Sequence, residues 1–182
     1  MILPIVAFGD PVLKRIGKDI TKDYLKLDEL LANMYETMYA AFGVGLAAPQ
    51  IGLPIRLFLV EQELLKGFKK TFINAKILEE EGDEWAFNEG CLSIPDVRED
   101  VFRKPEITIE YFDENFKKHT EKYDGLIARV IQHEYDHIEG VLFTDKLSSL
   151  KKRLIKGKLT NISKGKINVD YKMRFPNQKK KR

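Results

Sequence analysis

The run His133-Glu134-Tyr135-Asp136-His137 is where this sequence carries reactive chemistry most plainly. Imidazoles four residues apart stand beside one another on a helix surface, so both can reach a single metal ion. Glu134 lies between them, angled to the same side, and can work on a metal-bound water without being a ligand itself. Two histidines beside a core can also be hydrogen-bonded packing residues. The context favours the metal: Leu126 and Val130 continue the face of His133 and His137 and would bury the site. The chain has three histidines, and the third, His119 in Lys117-Lys118-His119-Thr120, reads as a surface residue.

A catalytic site of this type needs three protein ligands and one position left for water. No histidine follows His137, and Glu139 is the only acid before Asp145 and Asp170. Glu139 sits too close along the helix to turn back to the metal. The best remaining candidate is the sole cysteine, Cys91, within Glu89-Gly90-Cys91-Leu92-Ser93. A thiolate binds divalent Fe, Zn, Ni or Co strongly. A lone cysteine can equally be a small buried hydrophobe, and only the histidine motif tips the balance.

The elements that must position these groups can be read from periodicity. Asp124 is a candidate N-cap for a helix from about Gly125 to Glu139, with Gly140 placed to stop it. On that helix Arg129, Gln132 and Glu139 are expected to point to water. Leu25 to Phe42 reads as an amphipathic helix, with Leu27, Leu30, Leu31, Met34 and Met38 on one face, before Gly43 and Gly45 break it. Residues 55–60 and 71–75 read as buried strands, and residues 107–111 alternate like a strand with one wet face. Leu147 to Ile155 looks helical and basic, and Ile167 to Met173 is a candidate late strand. Segregated strands with two main helices argue for an α+β fold over a parallel α/β sheet.

Composition narrows the class. The 182 residues suffice for one domain with a real core, and 43% apolar with 32% charged residues is ordinary for a soluble globular chain. No apolar run approaches the roughly 18 residues of a membrane span. The apolar opening, residues 1–8, lacks a basic flank and carries Pro4, so it does not read as a signal peptide. One cysteine permits no internal disulfide, and a cytoplasmic location is expected. The net charge of +3 hides an asymmetry: residues 146–182 hold 14 Lys or Arg against one acid, while residues 1–145 hold 17 basic and 27 acidic side chains. Such an end is either a solvated tail or a contact for a polyanion.

The sequence resembles the peptide deformylase family. The resemblance rests on three motifs in order: Gly43-Val44-Gly45-Leu46-Ala47-Ala48-Pro49-Gln50, Glu89-Gly90-Cys91-Leu92-Ser93, and Gln132-His133-Glu134-Tyr135-Asp136-His137. It also takes in Gly9-Asp10-Pro11-Val12-Leu13 and runs to about Leu147. Residues 1–160 would then form the catalytic domain, and residues 161–182 a basic C-terminal extension of it. The fold implied is α+β, with antiparallel β-sheets packed around a central helix that carries the His-Glu-x-x-His motif.

The activity implied is hydrolysis of the formyl group from the N-terminal methionine of new proteins, releasing formate. Cys91, His133 and His137 are implied as ligands of one divalent metal ion, Fe(II) in the cell with Ni, Co or Zn able to replace it. Glu134 is implied as the catalytic acid and base, and Gln50 with the Leu92 N–H as donors to the oxyanion. Val44, Leu126 and Val130 would line the methionine slot. The peptide backbone would pair near Val44, Gly45 and Gly90, and Arg98 would meet its more distant carbonyls or carboxylate unless it is a plain surface arginine. Departures near the motif are small: Ile138 stands where leucine is frequent, and Tyr135 occupies a variable position. Beyond about Leu159 the resemblance says little, although basic ends in relatives suggest docking near the ribosomal exit, here through Lys151-Lys152-Arg153 and Lys179-Lys180-Lys181-Arg182. Two other readings are a metallopeptidase, which lacks its downstream third ligand here, and a binding protein with a structural metal and an RNA-binding tail.

Overall fold

Leu27, Leu31, Met34 and Met38 recur at helical spacing, and all four turn inward on the first helix, α1 (Leu27–Ala40). Asp28 and Glu29 sit in its first turn, where negative charge meets the positive end of the helix dipole. The helix is slightly shorter than the apolar pattern suggests. Lys26 takes a left-handed conformation before it, and Phe42 does so after it. The computed structural model describes residues 1–62 and 67–178.

The strands are antiparallel wherever they carry weight. Five of them form one sheet in the order β2 (Gly45–Ala47), β3 (Leu57–Gln62), β4 (Phe68–Glu81), β7 (Glu106–Phe112) and β8 (Lys118–Asp124). The expected strand at 71–75 falls within β4, while that at 55–60 starts late: β3 begins at Leu57, and Ile55 makes only an isolated bridge to Lys18. On β7 the alternation works as read: Ile107, Ile109 and Tyr111 face the core. A separate hairpin pairs β5 (Trp85–Cys91) with β6 (Ile94–Arg103), joined by Leu92 and Ser93.

The helix α2 (Gly125–Ile138) carries the His-Glu-x-x-His run and packs its back on the five-stranded sheet. Ala128, Ile131 and Ile138 join Phe58, Val60, Phe72, Ile107 and Ile109 in one core cluster. That apolar back leaves the opposite face to the chemistry. The result is an α+β fold, with antiparallel sheets around the motif-bearing helix.

Several local readings need correction. Asp124 occupies the N-cap position of α2, but its side chain makes no capping hydrogen bond. Arg129 and Gln132, expected in water, are 2% and 3% exposed. Each finds tertiary partners: Arg129 donates to Glu89 and to the Val101 and Trp85 carbonyls, and Gln132 to the Lys104 carbonyl. Glu139 is half-buried in an ion pair with Arg56 at 2.7 Å. His119 is also half-buried, bonded to Asp113 and stacked on Tyr111.

The late strand shrinks to β9 (Met173–Arg174), paired in parallel with β1 (Ile5–Val6). Residues 167–172 alternate like a strand but have no sheet edge beside them, so they run as irregular chain. The basic helix α3 (Ser149–Ser163) extends well past Ile155, capped by the Ser148 hydroxyl accepting from Lys151 N–H. Its Ile155 and Ile162 are buried against β6 and the chain start, while Lys152, Arg153, Lys156 and Lys158 are exposed. Lys179 to Arg182 lie outside the described residues.

Candidate metal centre

Three distant segments bring their reactive groups together. The inner face of α2 supplies His133 and His137, the end of β5 supplies Cys91, and the turn after β2 supplies Gln50. One donor atom from each of Cys91, His133 and His137 lies within 4.8 Å of the others. Cys91 Sγ is 3.3 Å from His137 Nε2. His133 Nδ1 is bonded to Glu89 Oε2 at 3.0 Å, which fixes the ring and leaves Nε2 available to a metal. One thiolate with two imidazoles is a donor set suited to divalent Fe, Ni, Co or Zn.

Glu134 stands beside this group, 4% exposed, with Oε2 buried and without a hydrogen-bond partner. Burial pushes its carboxyl up to about 7, against the opposing pull of His133 and Arg103. A buried carboxylate oxygen with nothing to accept from is costly unless a guest satisfies it. Gly45 makes room for this carboxyl, since a Cβ there would come within 2.5 Å of Glu134 Oε1. These observations fit a metal ion held by the three donors, with Glu134 serving what binds next to it.

Glu89 is the functional residue that the sequence reading missed. It is buried and accepts from Arg103 at 2.8 and 3.0 Å, from Arg129 at 3.1 Å and from His133. Burial alone would raise its carboxyl, but the hydrogen bonds from His133 and Arg103 prevail and hold it well below the usual range. Arg103 also reaches Asp136 at 2.7 Å, so two buried cations are matched by two carboxylates. Burial pushes the proton affinity of His137 well down.

The donor group opens into a cavity of about 620 Å³, within the ordinary range of small-ligand sites. Val44, Gly45, Gln50, Gly90, Cys91, Leu92, Arg98, Val130, His133 and Glu134 all line it. His137 is 1% exposed and lies behind this lining. Leu126 is not brought in: along α2 the lining begins at Arg129, and Leu126 stands 40% exposed in the first turn. Gln50 is oriented by Ala47 N–H donating to its Oε1 at 2.9 Å, which aims Nε2 at Cys91 Sγ and Ser93 Oγ. Arg98 lies across Gly90 and donates to Asn88 through Nε and Nη2. Asn168 to Tyr171, from the C-terminal segment, complete a wall that nothing in the sequence had suggested.

A His-Glu-x-x-His helix set against a sheet, with a cysteine from a distant hairpin beside it, defines a metal-dependent hydrolase. Comparison with known proteins sharpens the class. A family profile described as "Polypeptide deformylase" matches residues 2–153. Curated relatives named peptide deformylase include one from Christiangramia forsetii, 68% identical across all of both chains, and one from Flavobacterium johnsoniae, 66% identical over the same extent. Among solved structures, the peptide deformylase from Legionella pneumophila aligns with a TM-score of 0.83 at 36% identity, covering 91% of this chain and 98% of that one. The enzyme from Thermus thermophilus aligns at 0.82 and 38%, covering 89% and 98%. The chain belongs to the peptide deformylase family, metal-dependent hydrolases that remove the N-terminal formyl group from nascent peptides.

Proposed function

We propose that Cys91, His133 and His137 hold the metal of this deformylase, that Glu134 carries the proton, and that N-formylmethionyl chains enter along β2. The observation that carries the reading is the convergence of three donor atoms within 4.8 Å, with Glu134 buried beside them. Fe(II) is the ion proposed on the family resemblance; the mixed sulfur and nitrogen donors suit it, as they would Ni, Co or Zn. When bound, the cation lowers the pKa of water and so supplies a nucleophile near neutral pH.

The protein's part can be followed residue by residue. Glu134 accepts the proton of the attacking water and returns it to the leaving amine, a task suited to a carboxyl whose proton affinity burial raises. The Gln50 Nε2 amide and the Leu92 N–H donate to the oxyanion that develops on the formyl oxygen; losing one such donor typically costs about 3 kcal/mol of barrier. A formyl carbon bears only hydrogen, so a tight approach beside Gly45 admits it and rejects acetyl. Val44 and Val130 take the methionine side chain, with Leu126 at most at the rim. Because β2 is the edge of its sheet, a substrate backbone can add beside Val44 and Gly45, with Gly90 opposite. Arg98 Nη1 remains to meet carbonyls further along.

Among the described residues no helix is long and apolar enough to cross a membrane. The work site assigned is the cytoplasm, at the ribosome, with the exposed lysines of α3 meeting RNA phosphates. The direct test is Glu134→Gln. Formate release from a formylmethionyl peptide should fall by about 100-fold or more, with metal content and thermal midpoint retained. Turnover within threefold of the parent protein would overturn the assignment.

A further inference from the structure

The Cys91-Leu92-Ser93 turn carries both the sulfur donor and the Leu92 amide, so whatever fixes its geometry bears on the reaction. Three contacts hold it from within the family's core region. The Leu92 side chain packs where Gly43 leaves space, since a Cβ on Gly43 would come within 2.8 Å of Leu92 Cδ1. The Ser93 carbonyl accepts from Phe8 N–H at 2.8 Å, and its hydroxyl lies 3.4 Å from Gln50 Nε2. A fourth contact comes from far along the chain: Tyr171 Oη donates to the Leu92 carbonyl at 2.7 Å. Tyr171 lies beyond residues 2–153, the stretch matched by the family profile.

Tyr171 is itself held firmly. Just after it, the Lys172 and Arg174 carbonyls accept from Ile5 and Ala7 N–H at 2.8 and 2.9 Å, tying the segment to β1. Its ring packs against the core cluster that contains Met38 and Leu46. Together with Asn168, Val169 and Asp170 it lines the cavity.

We infer that Tyr171 is a positioning residue for deformylation: its hydroxyl clamps the Leu92 carbonyl and so fixes the turn that presents Cys91 Sγ and the Leu92 N–H. The inference rests on the proposed role of that turn. The C-terminal segment is then part of the active site's support, delivered by the β1–β9 pairing. Removing the hydroxyl leaves the ring as wall and anchor but frees the carbonyl, letting the Leu92 amide wander from the oxyanion position.

The test is Tyr171→Phe on the full chain in its metal-loaded form. The expected result is a kcat lower by about 3- to 10-fold, the worth of one neutral hydrogen bond, with KM within twofold. Amide hydrogen exchange should quicken at residues 91–93 and stay unchanged in α1 and α2. An unaltered kcat, or unaltered exchange at 91–93, overturns the inference. A drop in kcat accompanied by faster exchange throughout the protein also overturns it, since that marks a general loss of structure. If the parent protein releases no formate, the functional reading fails, and the exchange measurement still decides whether Tyr171 clamps the turn.

Discussion

Glu89 links the hydrogen-bonding and charge logic of the site, because one buried carboxylate orients the ring of His133, a proposed ligand, and neutralises two guanidinium groups. Glu89→Gln keeps the volume but removes the charge, leaving Arg103 and Arg129 short of a partner and His133 less firmly oriented. Metal affinity should fall by about 10- to 100-fold, as is typical when such an orienting group is lost. Competition with a chelator would measure this, and an affinity within twofold of the parent would contradict it. The three candidate donors were legible in the sequence because histidines four apart and a lone cysteine are rare and chemically loud. Glu89 was not, since its role depends on Arg103 and Arg129, which only the fold brings to it. Tyr171 carried no signal at all, being 79 residues from the carbonyl it holds.

At the scale of elements, α2 has to present a wet, reactive face while anchoring a dry one. Ile131 is fully buried in the cluster between α2 and the five-stranded sheet. Truncation to alanine should cost about 2–5 kcal/mol of unfolding free energy, read from denaturant titration. A loss below about 1 kcal/mol would mean that the cavity collapses or that the packing matters less than argued. The helix periods of α1 and α2 could be read to within a few residues because apolar side chains at steps of three and four report burial directly. Arg129 and Gln132 were misplaced because residue type is a good guide to exposure only when no buried partner waits. The expected strand at residues 167–173 failed for a related reason. Alternation describes which side chains turn inward, but a strand also needs a neighbour to bond with, and only Met173 and Arg174 find one.

For the whole molecule, charge and topology each carry a claim. Lys152, Arg153, Lys156 and Lys158 stand exposed on α3, on the side of the chain where acids are scarce. Reversing Lys152, Arg153 and Lys156 to Glu should weaken cosedimentation with ribosomes and flatten its dependence on salt, while formate release from a short peptide stays as before. Cosedimentation equal to that of the parent would remove the ribosome from the account. The α+β class was legible from segregated strands and helices, but the way the C-terminal segment returns to β1 and closes the cavity was not, because pairing partners far apart in sequence leave no local pattern. Topology carries the central claim, the meeting of α2 with the end of β5 on one cation. X-ray absorption on the zinc-loaded protein tests it most directly. The account predicts one sulfur at about 2.3 Å and two nitrogens at about 2.0–2.1 Å, with the sulfur signal lost in Cys91→Ser. A metal surrounded by nitrogen and oxygen alone, or a sulfur signal that survives Cys91→Ser, would contradict it.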